Sequence, residues 1–257
     1  MNYSPCTYGF SGVSTRIVSY SKIPLRTLEQ ILSIRKLAFI DRKKWDIGSY
    51  QGSDYEWDEY DDPDAMYIYA HENDRVTGCV RLRPSSKPTL MSGALSFILP
   101  TEKNRPNLDH CWEATRFALS TDRSSTGKLT RANVDIRTAA LFLSMIKFAQ
   151  QQKIHTYEIV IDTLMEKILK RSGWAIERLN TASGSKGEHV IYGTLPCTLK
   201  TYEEVLSKNA IDRATVLTHP LITDRSSDTL HKSLDTTKRL PDRNILAKRA
   251  LHTELQL

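Results

Sequence analysis

The stretch "AMYIYAHENDRVTGCVRLRP", Ala65 to Pro84, holds two apolar runs rich in Tyr, Ile and Val, separated by the short polar "NDR". Runs of that length and composition on either side of a polar turn predict an antiparallel hairpin, Ala65–Glu72 with Val76–Pro84. Arg81 and Arg83 lie two apart in the second strand, so both side chains leave the same face of the sheet.

Upstream, "DYEWDEYDDPD" (Asp54 to Asp64) carries seven Asp or Glu in eleven residues, although the chain as a whole has a net charge of +6. Taken alone, such a run reads as solvated surface charge. Its company points elsewhere: Trp45, Tyr55, Trp57, Tyr60, Tyr67 and Tyr69 are close in sequence. Carboxylates flanked by aromatic rings bind cations by charge and by ring quadrupole together. Read beside Arg35, Trp45, Arg81, Glu113 and Arg116, the stretch divides, and Asp54, Glu59, Asp62 and Asp64 remain as its solvent charges. The loop that contains them, from Trp45, is long for a compact domain, and such loops are usually functional or disordered. Before it, Ile23 to Lys44 reads as one amphipathic helix with Leu25, Leu28, Ile31, Leu32, Ala38 and Phe39 on its apolar stripe. Arg35 falls on that stripe, where an arginine can snorkel from a partly buried face.

Downstream, Pro84 to His110 reads as loop with short helical turns, and "CWEATRFALS" (Cys111 to Ser120) as a strand. Glu113 and Arg116 are three apart in it, on opposite faces unless a bulge intervenes. A polar turn (Thr121 to Lys128) feeds a long helix ending near Gln152. Next come a strand at "TYEIVI", a short helix closed by Gly173 in the position after the helix end, and strands near "WAIERLN" and "EHVIYGTLP". This order is that of an α/β or α+β single sheet. The domain is expected to span residues 1–205, with 206–257 a flexible or weakly helical C-terminal extension.

The totals bound the class. The chain has 257 residues, 40% hydrophobic and 26% charged, enough for one sizeable packed domain. No apolar run approaches the ~20 residues of a membrane span, and the first residues lack the basic and apolar regions of a secretory signal. Four scattered cysteines form no CxxC pair and have no histidine at metal spacing, which fits reduced thiols and no metal site. The basic surplus implies an anionic partner without choosing one. No Walker loop, GxGxxG, HExxH or GxSxG occurs, and "TDRSSTGK" lacks the phosphate-loop spacing.

Five blocks, "IRKLAFIDRKKW", "DEYD", "YIYA", "GCVRLRP" and "EATRFAL", resemble in order and spacing the acyl-homoserine lactone synthases of bacterial quorum sensing. The similarity runs from about Ile23 to Leu195, with Arg83 and Ala114–Thr115 as small departures. It implies an N-acetyltransferase-like α/β (α+β) fold, a single mixed sheet flanked by helices. It also implies a cytoplasmic bacterial acyltransferase that joins a fatty acyl group from acyl carrier protein to S-adenosylmethionine, with no cofactor, metal, nucleic acid or membrane. In the family's pattern the matching charged positions are Arg35, Glu56, Asp58, Asp61, Arg81, Glu113 and Arg116, with Phe39 and Trp45 as aromatic companions. Asp58 and Asp61 would hold the cationic parts of S-adenosylmethionine. The arginines would pair with its carboxylate, or form a structural ion network with the acids. Phe39 and Trp45 would cover its adenine or sulfonium, and Glu113 would take the amine proton, with Arg81 and Arg116 beside it. Lys147, Lys153, Lys167, Lys170 and Arg171 lie on or beside two helices and would steer an acidic carrier protein. Ile159 or Ile161 stands where a family Thr goes with 3-oxo chains, which favours an unsubstituted or 3-hydroxy chain.

Two other functions stay open on the residues alone. An N-acyltransferase using acyl-coenzyme A and another amine is expected to carry [RQ]xxGx[GA] before the long helix, which "RSSTGK" matches only in part. A basic nucleic-acid binder would use the tail as an arm, but the tail's charges are mixed.

Overall fold

The computed structural model describes residues 6–10, 12–101, 105–121, 128–184, 187–213 and 217–220. In chain order its elements are β1 (Cys6–Phe10), β2 (Val13–Ser19), α1 (Leu25–Arg35), β3 (Met66–Glu72), β4 (Arg75–Pro84), β5 (Cys111–Leu119), α2 (Ile136–Gln152), β6 (Thr156–Asp162), α3 (Thr163–Ser172), β7 (Glu177–Ser183), β8 (His189–Pro196), α4 (Leu199–Asn209) and β9 (Leu217–Pro220). The strands form one mixed sheet in the order β7-β8-β6-β5-β4-β3-β2-β1-β9.

Alternation along the strands builds two layers. Ile68, Val80, Leu82 and Ala114 face α2, whose sequence is apolar over most of its length and most of whose side chains are buried. Tyr67, Tyr69 and Cys79 face α1 on the other side. The helices start where short polar side chains take up free backbone N–H groups: Asp135 accepts from Arg137, Asp162 from Met165 and Thr198 from Thr201. Gly173 ends α3 in the left-handed region, as its place in the sequence implies.

Every neighbouring pair of strands is antiparallel except β5 with β6. That pairing covers only Cys111–Thr156, Trp112–Tyr157 and Glu113–Glu158, after which both strands run on unpaired to each other. The sheet is split there, and a cavity fills the split.

The hairpin, the strand at Cys111, the two central helices and the last strand pair follow the sequence reading. Several elements do not. The first helix is α only to Arg35 and continues as a π-helix over Lys36–Arg42, and Leu25 of the expected apolar stripe is exposed. β1, β2 and α4 are absent from the sequence reading because their segments are polar and gain their apolar contacts only from the assembled sheet. β7 starts three residues later than "WAIERLN" because Trp174 is spent as a core residue. The expected domain boundary at 205 falls inside α4, and β9 pairs with β1. The turn at Thr121–Lys128 lies mostly outside the described residues, as does the extension beyond Pro220.

Trp174 anchors the helical layer below the split. It is fully buried, its Nε1 donates to the Pro196 carbonyl at 2.9 Å, and its ring meets Phe142 and Tyr157 edge-on at 5.3 and 6.3 Å. Trp174→Ala is expected to lower the free energy of unfolding by about 3–5 kcal/mol, read from urea denaturation.

Candidate active site

The chain leaves α1 through the π-helix, whose wider turn carries Phe39 toward the split. Lys44 then takes a left-handed conformation (φ +55°), and the Trp45 N–H returns to the Phe39 carbonyl at 2.9 Å. This reversal lays the Trp45 ring flat against Phe39, centroids 5.3 Å apart and planes 5° from parallel.

The acidic stretch follows and folds onto the sheet face that carries the arginines. Arg35 Nε donates to Glu56 (2.6 Å), and Glu56 also accepts from Arg116 Nε (3.1 Å). Arg116 Nη2 donates to Asp58 (2.7 Å), which in turn is paired by both terminal nitrogens of Arg81, Nη2 at 3.1 Å. Arg81 Nη1 reaches Asp61 at 3.0 Å, and Asp61 closes the circuit with two bonds from Arg35, 2.7 and 2.9 Å. The result is a closed ring of three guanidinium groups alternating with three carboxylates, neutral in sum. Its members other than Arg116 are buried.

Ordinary solvation would be lost here, so each charge must be replaced by partners. Burial pushes Asp61 toward the neutral form, but Arg35 and Arg81 outweigh it, and Tyr67 Oη and the Asp58 N–H add hydrogen bonds, so its carboxyl is held well below the usual range. Asp58 is likewise lowered: burial opposes, Arg81 and Arg116 prevail. Arg35 and Arg81 are desolvated too, and their carboxylate partners still raise them well above the ordinary arginine value.

Arg116 joins the ring through a β-bulge. Cys79 pairs with Ala118 but Arg81 with Thr115, so Val80 faces two residues, and Arg116 sits at φ +58°. The bulge turns the Arg116 side chain to the face of Arg81 and Thr115, which regular alternation would deny it. Glu113 is the register partner of Arg83. It is fully buried and accepts from the Met91 N–H at 2.8 Å and from Thr115 Oγ1 at 3.2 Å. Its carboxyl is raised, chiefly by burial, against the opposing pull of Arg81 and the Met91 N–H. Arg83 pairs with Asp62 (Nη2–Oδ2 2.9 Å), which corrects the reading of Asp62 as a solvent charge. Tyr60 lies beside Arg81 and Arg83, and a side chain at Gly93 would collide with its hydroxyl.

The cavity in the split has a volume of about 650 Å³. One end is apolar, lined by Val80, Ala114, Phe142, Met145, Ile159, Ile161, Met165, Leu169 and Leu195. The segments "LFLSMIKF" of α2 and "YEIVIDTLM" of β6 and α3 both contribute to this lining. The other end is walled by Phe39, Lys43, Trp45, Asp46, Asp58, Glu59, Thr115 and Arg116. Of the nine site residues expected from the sequence, Phe39, Trp45, Asp58 and Arg116 therefore reach the cavity. Arg35, Glu56, Asp61, Arg81 and Glu113 stand behind its wall, with the Thr115 hydroxyl bridging Glu113 to it. Arg35 does not snorkel; it is fully buried in the ring.

The sequence reading misses Lys43 and Asp162, which both line the cavity and form an ion pair at 2.7 Å. A signal was present in Asp162, an acid directly before a helical run. Lys167, Lys170 and Arg171 are exposed on α3, while Lys147 on α2 is half-buried with Nζ 5.3 Å from the Tyr202 ring centroid. Lys153 follows α2 and is exposed. Among the described residues no group of His, Cys, Asp and Glu is placed to hold a metal ion, and no helix is long and apolar enough to cross a membrane. Cys79, Cys111 and Cys197 are unpaired thiols.

A family model described as autoinducer synthase matches residues 20–205. The acyl-homoserine-lactone synthase of Vibrio anguillarum is 30% identical over 177 residues, covering 68% of this chain and 86% of its own length. That of Aliivibrio fischeri is 32% identical over 173 residues, 67% and 84% respectively. The crystal structure of the synthase LasI shares the fold with a TM-score of 0.65 at 22% identity, covering 76% of this chain and 95% of that one. A CoA-dependent acyl-homoserine lactone synthase, BjaI, solved with S-adenosylmethionine and isopentyl-CoA, gives 0.61 at 21%, covering 76% and 88%.

Removing one member of the ring strands its partners. Arg35→Met is expected to destabilise the fold by about 3–5 kcal/mol in urea denaturation, because Glu56 and Asp61 stay buried with one of their two cations gone. Asp58 and Asp61 have lowered folded-state pKa values, so their contribution is complete above the unfolded value near ~3.9 and is lost as pH falls through the lower folded values. Wild-type stability is therefore expected to hold down to about pH 4 and to fall below it, as read by thermal melts across pH.

Proposed function

The chain belongs to the autoinducer synthase family, and from that premise we propose that it is an acyl-homoserine-lactone synthase using S-adenosylmethionine and an acyl thioester of acyl carrier protein. The observation that carries the reading is the cavity with two unlike ends, set where β5 and β6 part. One end suits a fatty chain. The other offers a carboxylate, a guanidinium and two stacked rings to a molecule that is cation, anion and aromatic base at once.

S-adenosylmethionine occupies the polar end. Phe39 and Trp45 cover its adenine or sulfonium, Asp58 attracts its cationic groups, and Arg116 pairs with its carboxylate. Arg81, Arg35, Glu56 and Asp61 hold those two contacts in place from behind. The α-ammonium must lose a proton before it can attack. Glu113 accepts that proton through the Thr115 hydroxyl or a water, and its raised pKa makes it a better base than an ordinary carboxylate. The amine nitrogen then bonds to the thioester carbonyl carbon. Backbone N–H groups on the edge of β6 that β5 has left unpaired are available to the developing oxyanion. The C–S bond breaks and the carrier's thiol leaves. In the second step the substrate carboxylate attacks its own γ-carbon as the γ-carbon–sulfur bond breaks, which closes the lactone and releases neutral methylthioadenosine. That step needs alignment more than acid or base.

Acyl carrier protein is favoured as donor by Lys167, Lys170 and Arg171, exposed on the helix whose inner face, Met165 and Leu169, lines the apolar end. Lys147 is set apart by its contact with Tyr202 and is a weaker candidate. Ile159 and Ile161 line the apolar end with no hydroxyl, which supports an unsubstituted or 3-hydroxy chain. The site of action is the bacterial cytoplasm, where both substrates are made.

The test is incubation of purified protein with S-adenosylmethionine and medium-length acyl groups, carried either on acyl carrier protein or on coenzyme A. Mass spectrometry would follow acyl-homoserine lactone and methylthioadenosine. Both products are expected, faster with the carrier protein. Their absence with every donor contradicts the function, and a preference for coenzyme A contradicts the donor. Glu113→Gln is expected to lower kcat by about a hundred-fold or more while circular dichroism stays that of wild type.

A further inference from the structure

Lys43 ends the π-helix, two residues before Trp45. Its Nζ lies 4.3 Å from the centroid of the Trp45 ring and donates to Asp162 Oδ2 at 2.7 Å. Asp162 is the last residue of β6 and the cap of α3, its other oxygen accepting from the Met165 N–H at 2.8 Å. Both ion-pair partners are about a quarter exposed, 28% and 22%, and both line the cavity. At the far end of the aromatic pair, the Arg116 guanidinium carbon is 5.9 Å from the centroid of Phe39. Asp162, Lys43, Trp45, Phe39 and Arg116 thus form one run of contacts along the cavity wall, from the start of α3 to the charge ring.

We propose that Lys43 and Asp162 are positioning residues, their ion pair pinning Trp45 against Phe39 and so shaping the end of the cavity that takes S-adenosylmethionine. This rests on the reading of that end given above. The physical need is specific. Phe39 is fixed on the π-helix and Arg116 by the ring, but Trp45 follows a left-handed residue at the start of a long loop. A ring in that place keeps one orientation only if something holds it on the side away from Phe39's anchor, and the Lys43 ammonium, itself held by Asp162, does so. The tie also joins the two ends of the cavity. One carboxylate holds both the lysine over Trp45 and the first turn of the helix that lines the acyl end. A partly exposed pair is a weak tie, so its loss changes affinity several-fold and does not abolish it.

Three variants separate this role from general stabilisation. Lys43→Met keeps the stem and removes the charge. Asp162→Asn keeps a capping side chain for α3 and removes the charge. Lys43→Arg keeps the cation. The measurements are the Kd of S-adenosylmethionine by calorimetry, and KM and kcat for both substrates. Lys43→Met and Asp162→Asn are each expected to weaken S-adenosylmethionine by about three- to five-fold. KM for the acyl donor and Tm should stay near wild type, Lys43→Arg should restore affinity to within about two-fold, and the double variant should be no worse than either single. Unchanged Kd in both charge-removing variants overturns the proposal. So does a joint loss of Tm and of affinity for both substrates, which marks general loosening. A wild-type protein that binds S-adenosylmethionine but forms no lactone overturns the functional reading alone, since the Kd comparison still reads the ion pair.

Discussion

A buried charge must be paired, and in this protein three arginines, two of them buried, and three buried carboxylates pair with one another in a closed ring. The arginines come from α1, β4 and β5; the carboxylates all come from six residues of one loop, Glu56 to Asp61. Neither set is tolerable alone in the interior. The charge-rich loop is therefore obliged to fold onto the sheet, and the sheet can bury its arginines only because the loop does so. This is why a basic chain gathers its anions just before a strand. They are the counter-charges of a site, delivered in one piece.

The ring divides labour between structure and chemistry. Arg35, Glu56, Asp61 and Arg81 hydrogen-bond within the ring and stand behind the cavity wall. Asp58 and Arg116 belong to the ring and also face the cavity, so the ring presents one anion and one cation to the polar end in fixed geometry. The orientation of Arg116 depends on a bulge and a left-handed φ at a non-glycine residue, a local strain of the kind that persists only where its surroundings over-determine it. The bidentate and bridging bonds of the ring supply that over-determination. Close by, the parting of β5 from β6 opens the space that the ring then walls.

Much of this was legible in the sequence. The hairpin, the long and short helices and the glycine stop showed in local periodicity and capping chemistry, and the members of the ring showed in the sequence blocks that carry the family resemblance. What local pattern does not carry is partnership. Arg35 on an apolar stripe reads as a snorkelling side chain until Glu56 and Asp61 are found against it. Asp62 reads as solvent charge until Arg83 is placed. A helical period from Ile23 to Lys44 does not distinguish i→i+4 from i→i+5 bonding, so the π-helix that carries Phe39 was hidden. Polar strands such as "VSTRIVS" and the helix "LKTYEEVLSKN" become elements through neighbours far away in the chain. The Lys43–Asp162 pair, 119 residues apart, has no local signature at all.

The claim at the centre is that the ring acts as one unit and not as six independent contacts. A double-mutant cycle tests it most directly, with Arg81→Met and Asp58→Asn made singly and together and the free energy of unfolding measured for each. If the ring is a unit, each single change strands a buried partner, and the double variant is less destabilised than the sum of the singles by about 2 kcal/mol or more. Additive losses, with a coupling near zero, would contradict it.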